Sequence, residues 1–206
     1  MKTLVNLEHW NRKEHFQFFS QFEEPFYGIN VQMDCTYAYN KAKKQGVSFF
    51  LYYLYQTLKA VNETENFRYR IIGDQVFEYD KVHASPTIMR DDNTFGFGYI
   101  EYHEATDIFY AKASKEIERV KNSNRLEAAA REDVIHFSAL PWINFTSVSH
   151  ARSFSFPDSC PKISVGKMTE KSGIRSMPVS VHVHHGLVDG YHVGLFMDRL
   201  QDLLHS

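Results

Sequence analysis

The stretch VHVHHGLVDG, residues 181–190, joins two patterns of different period. Before it, Met177 to His184 is typical of a β-strand, and after it apolar residues recur at helical spacing from Val193 to Leu204. A strand that leads at once into an amphipathic helix indicates layered packing of helices on a sheet. The turn between them presents its side chains at the edge of that sheet.

Strand and helix patterns also alternate through the rest of the chain. The sequence predicts an α/β fold, an α+β layered sandwich in which a mixed sheet packs with helices. A capping box at Asn11 and Glu14 predicts the start of the first helix, and Gly73-Asp74 predicts a hairpin turn. Further helices are predicted at 36–45, after Ser48 and at 106–121, and further strands at 28–35, 87–89, 95–101, 136–148 and 162–168.

Length and composition predict one domain. The chain has 206 residues, of which 43 % are hydrophobic and 15 % aromatic, enough to bury a substantial core. No repeat or Pro/Gly/Ser-rich linker divides it. We therefore expect residues 1–206 to form a single domain.

Charge and hydropathy exclude several classes of function. A formal net charge of −2 gives no broad positive field for nucleic acid or for an anionic membrane surface. The first residues turn polar before a signal sequence could develop, and no stretch approaches the roughly 20 apolar residues of a membrane span. We expect a cytoplasmic protein that binds neither nucleic acid nor membrane.

His185 is the candidate catalytic residue. An unperturbed imidazole, with a pKa of about 6.5, is mostly neutral at physiological pH and can accept a proton and release it. The alternative is a structural histidine, as is usual for a histidine that stands alone. Asp189 has its own structural interpretation, as the N-cap of the last helix.

Metal binding is a second alternative for this segment. His182 and His184 alternate onto one strand face, and His185, Asp189 and His192 are near in sequence. No second cluster of potential ligands accompanies them, and His184 and His185 point to opposite faces if both are extended. Zinc is therefore the weaker enzyme hypothesis.

Three blocks carry a resemblance to the chloramphenicol acetyltransferase family. The pattern HHxxxDG, followed by Phe or Tyr and His, is matched by HHGLVDGYH at residues 184–192. HWNRKEHF at 9–16 is similar to the family's amino-terminal WxRKEHF block, and SALPWINF at 138–145 resembles its SALPWVNF block. HHxxxDG alone also occurs in other coenzyme-A-dependent acyltransferases, so the order and spacing of the three blocks make the match specific.

The resemblance implies a reaction and roles for four residues. His185 would deprotonate a hydroxyl of chloramphenicol as that hydroxyl attacks acetyl-coenzyme A, without a metal. Ser138 would hydrogen-bond the oxyanion of the tetrahedral intermediate. Asp189 would form a partly buried ion pair with Arg12 and so position the histidine. The family is trimeric with its sites at subunit boundaries, so a homotrimer is expected.

The resemblance to the family is weaker at the positions that would surround the acceptor. Phe19 falls where most members carry a tyrosine, Glu23 and Pro25 fall where they carry apolar or small residues, Phe97 replaces a smaller residue and Ser164 stands for a threonine. These five positions are the candidate acceptor pocket. Two alternatives stay open: an acyltransferase of the same fold with another hydroxyl or thiol acceptor, and a non-catalytic trimeric binding protein.

Overall fold

The computed structural model describes residues 1–127, 131–154 and 157–206. Its helices are α1 Lys13–Phe19, α2 Thr36–Gln45, α3 Phe49–Glu63, α4 Thr106–Lys121 and α5 Gly190–Leu204, with short 3-10 helices at Leu7–His9 and Glu65–Arg68. Its strands are β1 Lys2–Leu4, β2 Phe26–Asp34, β3 Tyr69–Ile72, β4 Gln75–Tyr79, β5 His83–Met89, β6 Phe95–Phe97, β7 Val134–Leu140, β8 Lys162–Gly166, β9 Thr169–Lys171 and β10 Ile174–His184.

Among the described residues, seven strands form the main sheet. Their order is β2-β10-β8-β7-β5-β6, and β9 pairs with β10 beside β8. The pairs β5 with β7 and β7 with β8 are parallel, and the other pairs are antiparallel. A second sheet has the order β1-β4-β3. The mixed sheet packed with helices that the sequence predicts is therefore confirmed.

One face of the main sheet is apolar. Val179, Val181 and Val183 of β10 are fully buried on it, and β8 and β2 place apolar partners beside them. Helices α3 and α5 pack against each other, and α5 also contacts β2. This face and these helices contribute to one buried cluster that extends from Phe16 to Leu204.

The opposite face of the sheet is polar although much of it is buried. Ser180 of β10 pairs with Ser164 of β8, and Ser164 pairs with Ser138 of β7, so the three serines form a row. Ser164 and Ser180 are fully buried. His150, from the segment after β7, covers the row and lies 3.4 Å from Ser164 Oγ through its Nε2 atom.

Two predicted boundaries are wrong for tertiary reasons. Helix α1 begins at Lys13, and Asn11 lies in an exposed turn without capping it, because buried Arg12 turns its side chain toward Asp189 just before the helix. The strand predicted from His136 to Val148 runs only from Val134 to Leu140, because Pro141 has no N–H to continue the ladder.

Two strands near the middle of the chain differ in length from the prediction. The one predicted at 95–101 ends at Phe97 and is followed only by an isolated bridge between Ala84 and Ile100. The one predicted at 87–89 begins earlier, at His83. No helix among the described residues is long and apolar enough to cross a membrane.

Candidate active site

The backbone of His185 is tied on both sides at the end of β10. Its N–H donates to the carbonyl oxygen of Pro25 over 2.9 Å, and its own carbonyl accepts from Arg12 Nη2 over 3.1 Å. Pro25 immediately precedes β2, which pairs with β10 along its length. The two bonds fix the main chain from which the imidazole projects.

The His185 ring lies between two aromatic rings. The Phe19 ring is stacked on it at 4.0 Å with an interplanar angle of 5°, and the Tyr27 ring lies 4.5 Å away at 38°. Nδ1 of His185 is buried and has no hydrogen-bond partner among the described residues. Nε2 is therefore the nitrogen that can meet a substrate alcohol.

Asp189 serves both of the roles that the sequence suggested. Its Oδ2 accepts from Arg12 Nη1 at 2.6 Å, so the expected ion pair is present, and Arg12 is buried beneath it. Its Oδ1 accepts from the backbone N–H of Tyr191 at 3.1 Å and of His192 at 3.5 Å, which caps α5. Burial alone would raise the pKa of Asp189, but the bond from Arg12 and the neighbouring His192 lower it on balance.

His184, the first histidine of the pair, faces the other way. Its ring contacts Phe26 and its Nδ1 accepts from the backbone N–H of Gly186 at 3.1 Å. Burial lowers the pKa of His184 to about 4, with Arg152 adding to the effect, so the ring stays neutral. Phe26 and Tyr27 are consecutive in β2, so His184 and His185 lie on opposite faces, as expected for extended chain.

Ser138 does not lie near His185 of the same chain. Ser138 belongs to the serine row on the polar face of the sheet, whereas the His185 ring lies with Tyr27 on the opposite face. The row meets β10 at Ser180, which is about 16 Å along the strand from His185, and Ser138 is about 10 Å farther across two strand spacings. The two residues cannot act on one substrate within one chain.

The five candidate pocket residues divide between the surroundings of His185 and those of Ser138. Phe19 stacks on His185, Pro25 accepts its N–H, and exposed Glu23 lines a cleft of about 710 Å³ beside Pro25. Ser164 pairs directly with Ser138.

Phe97 belongs with Ser138 and Ser164. Phe97 pairs with Thr87 of β5. In the parallel pairing of β5 with β7, Pro86 stands beside Phe137, so Thr87 is the residue of β5 that follows toward Ser138. The predicted site residues thus form two groups, one around His185 and one around Ser138.

The histidines suggested as metal ligands do not come together as a metal centre. In the part of the chain that the structure describes, three potential ligand atoms approach within 4.8 Å of one another only at His136, Asp158 and Cys160. The carboxylate of Asp158 is already paired with the ammonium of Lys162 and accepts from the backbone N–H of Cys160 at 2.9 Å. A cation therefore already neutralises that cluster.

Sequence reasoning missed Tyr27 and the polar residues around Ser164. Tyr27 reads as an ordinary aromatic residue at the start of a strand, and only its pairing opposite Val183 brings it to His185. Lys162 is buried and lies two residues before Ser164, on the same face of β8. His150 comes from a segment with no helix or strand pattern in its sequence. An alternation check on 162–166 would have found Lys162, whereas nothing in the sequence marks His150.

Comparison with known proteins decides the family. A family model described as chloramphenicol acetyltransferase matches residues 1–201. The chain belongs to this family. Membership confirms the resemblance drawn from the three sequence blocks and makes the chain an acyltransferase.

Relatives and solved structures agree with this assignment. "Chloramphenicol acetyltransferase 3" of Escherichia coli is 28 % identical over 99 % of this chain and 97 % of its own length. A chloramphenicol acetyltransferase of Bacillus pumilus is 28 % identical over 96 % of this chain and 91 % of its own. A solved chloramphenicol acetyltransferase matches with a TM-score of 0.92 and 34 % identity, over 99 % of this chain and 100 % of its own.

The fold extends beyond the chloramphenicol acetyltransferases. A probable dihydrolipoamide acetyltransferase from Listeria monocytogenes matches with a TM-score of 0.67 at 16 % identity, over 97 % of this chain and 92 % of its own. Identity this low shows a shared fold alone.

Proposed function

We propose that the protein transfers the acetyl group of acetyl-coenzyme A to a hydroxyl of chloramphenicol, with His185 as the general base. The observation that carries the proposal is the His185 ring itself: its backbone is tied to Arg12 and Pro25 and its Nδ1 is buried, which leaves Nε2 for the acceptor. Relatives from Escherichia coli, Staphylococcus aureus and Bacillus pumilus are named chloramphenicol acetyltransferases, which supports the choice of substrates.

The reaction needs one imidazole as the base and one hydroxyl as a hydrogen-bond donor. His185 Nε2 takes the proton of the acceptor hydroxyl while its oxygen bonds to the thioester carbonyl carbon. The Ser138 hydroxyl donates to the oxygen that becomes negative, an interaction typically worth about 3 kcal/mol in the transition state. The carbon–sulfur bond then breaks, and the thiolate of coenzyme A takes the proton back from His185.

We further propose a homotrimer whose sites lie between subunits. In one chain His185 and Ser138 lie on opposite faces of the sheet, so each needs a second copy of the chain to meet its counterpart. Cyclic symmetry repeats the same contact around the ring, so every His185 can face a Ser138 of the next subunit. Residues 1–206 then act as one acetyltransferase domain, in keeping with the buried cluster that spans them.

A different acceptor is the second candidate, and the surroundings of Ser164 favour it. His150 Nε2 lies 3.4 Å from Ser164 Oγ, and the ring of His150 contacts that of His182. Buried Lys162 stands on the same face. The imidazoles of this wall can hydrogen-bond a polar alcohol, whereas an apolar part of an acceptor would leave their nitrogens unpaired. The Lys162 ammonium itself is already paired with Asp158.

Thiol release tests the proposal directly. The purified protein is mixed with acetyl-coenzyme A, and free thiol is followed with and without chloramphenicol. We expect antibiotic-dependent release that falls by roughly 100- to 10,000-fold in His185→Ala. His205→Ala, which changes an exposed histidine at the far end of α5, should keep wild-type turnover.

Each failure points to a different alternative. Coenzyme A binding without antibiotic-dependent thiol would favour another acceptor. Neither binding nor turnover would favour a non-catalytic binding protein, and activity lost to a chelator would favour a metal. Full activity in His185→Ala would refute the role of His185.

A further inference from the structure

The serine row lies beneath a second layer of side chains. Ser164 and Ser180 are fully buried, whereas Ser138 of the same row is partly exposed. His150 lies over Ser164, with its Nε2 atom 3.4 Å from Ser164 Oγ, and is itself partly exposed. On the Ser164 side of Ser138, the polar group that a ligand meets is therefore the imidazole of His150, and the Ser164 hydroxyl lies below it.

Neighbouring side chains hold the His150 ring in place. The ring packs edge to face on that of His182, with the centroids 4.8 Å apart and an interplanar angle of 82°. His182 in turn lies 3.2 Å from Ser180 Oγ through its Nδ1 atom. It also fills the space above Gly28 of β2, where a Cβ would lie only 2.3 Å from Nε2 of His182. A glycine inside a strand often marks such a close approach, so Gly28 makes room for the pair of imidazoles.

The His150 imidazole is a neutral hydrogen-bonding group. Burial lowers the pKa of His150 to about 4, and the neighbouring His182 and Lys162 add to the effect. Lys162 is itself neutralised by Asp158. A neutral imidazole has one donor and one acceptor nitrogen, and since Nε2 is at Ser164, Nδ1 can bond to a hydroxyl or an amide of a ligand. An apolar group placed over Nδ1 would displace its water and give no bond in return, which costs binding free energy.

Chloramphenicol can bring an apolar group to this position. Its two hydroxyls stand on carbons on either side of a carbon that carries a dichloroacetamide, so this substituent lies beside whichever hydroxyl reacts. Ser164 pairs directly with Ser138 of the neighbouring strand, and adjacent strands lie about 4.8 Å apart. With the thioester carbonyl at Ser138, the dichloromethyl end of the substituent can therefore reach His150.

We propose that His150 is a specificity-determining residue of the acceptor site, which weakens the binding of chloramphenicol at its dichloromethyl group and favours alcohols that carry a hydroxyl there. This role rests on the proposed function, in which Ser138 meets the thioester carbonyl. The best acceptors are then alcohols with a second neutral hydrogen-bonding group close to the hydroxyl that is acetylated.

His150→Leu replaces the imidazole with an apolar side chain. We expect kcat/KM for chloramphenicol, measured by antibiotic-dependent thiol release, to rise about tenfold, within the range that an unpaired polar group costs. The gain should come from a lower KM for chloramphenicol, with kcat and KM for acetyl-coenzyme A near wild type. His150→Met gives the same test should leucine lower the melting temperature.

A matched substrate separates hydrogen bonding from shape. In the glycolyl analogue of chloramphenicol, a hydroxymethyl group replaces the dichloromethyl group and the rest is unchanged. We expect the ratio of kcat/KM for the analogue to that for chloramphenicol to fall about tenfold from wild type to His150→Leu. Neither His150→Gln, which keeps a hydrogen-bonding amide, nor His205→Leu, which changes an exposed histidine at the far end of α5, should raise kcat/KM for chloramphenicol.

Equal gains for both compounds in His150→Leu, or a loss or no change for chloramphenicol, would overturn the inference. A wild type that releases no chloramphenicol-dependent thiol would refute the proposed acceptor instead. Equilibrium dialysis of both compounds against wild type and His150→Leu then decides the role of His150, since the same change is expected in the ratio of the dissociation constants. Binding of neither compound by either protein would overturn both the acceptor and the role of His150.

Discussion

Asp189 shows how one carboxylate can hold a loop and start a helix at once. One oxygen neutralises Arg12, whose second terminal nitrogen holds the carbonyl of His185, and the other oxygen caps α5. The ion pair and the cap are separable, because asparagine caps a helix about as well as aspartate but carries no charge.

Substitution at Asp189 should therefore give two graded losses. Asp189→Asn leaves buried Arg12 uncompensated, which costs at most about 3 to 5 kcal/mol and less here because the Asp189 side chain is 32 % exposed. Asp189→Ala also removes the cap and should cost about 1 kcal/mol more. Urea unfolding measures both losses.

Thiol release should fall in both Asp189 variants, since Arg12 no longer holds the His185 loop in place. Asp189→Asn with wild-type stability and wild-type activity would contradict the positioning role of the ion pair.

At the scale of single residues, the sequence supplied the identities and one contact, the ion pair of Arg12 with Asp189, but not the aromatic contacts of His185. HHxxxDG and the amino-terminal block point to His185, Asp189 and Arg12 by resemblance. The contact of the Tyr27 ring with His185 depends on which residue of β2 stands opposite Val183, and strand register is a tertiary property.

Elements with strong local signals were predicted to the residue. Helix α2 ends where Gly46 takes a φ of 67°, a left-handed conformation that favours glycine, and α4 runs from Thr106 to Lys121 as its apolar spacing predicts. The start of α1 could not be predicted, because a buried ion pair to a residue far along the chain decides it.

Two glycines, one in β8 and one in α5, should respond in opposite ways to alanine. A Cβ at Gly166, the last residue of β8, would lie 2.5 Å from Pro178 Cγ and 2.8 Å from the backbone oxygen of Ile143. Gly166→Ala should therefore lower the free energy of unfolding, since the backbone oxygen cannot move aside cheaply.

Gly194, inside α5, provides the matched control. A Cβ there meets nothing within 4 Å, so Gly194→Ala should raise the free energy of unfolding by about 0.5 to 1 kcal/mol. Thermal melts of both variants test the pair. An equal change of the same sign in both would mean that space around the Cβ does not decide the outcome.

The whole molecule explains what neither motifs nor elements could reveal. The sequence placed His185 and Ser138 in one mechanism by resemblance, yet the sheet puts them on opposite faces and far apart. Which face a residue takes depends on the parity of its position in a strand, and how far it lies from another depends on strand order. A sequence motif specifies neither the face of the sheet that a residue takes nor its distance from a residue of another motif.

Mixing two inactive variants tests whether the site forms between chains. His185→Ala lacks the base, and Ser138→Ala lacks the oxyanion donor and should lose roughly 100- to 1,000-fold in kcat. If each site takes His185 from one subunit and Ser138 from the next, random assembly of equal amounts leaves about a quarter of the sites with both groups intact. Coexpressed variants should then regain about a quarter of wild-type thiol release, whereas the same variants purified separately and mixed without subunit exchange should regain none. If both groups came from one chain, every site would lack one of them and coexpression would restore nothing.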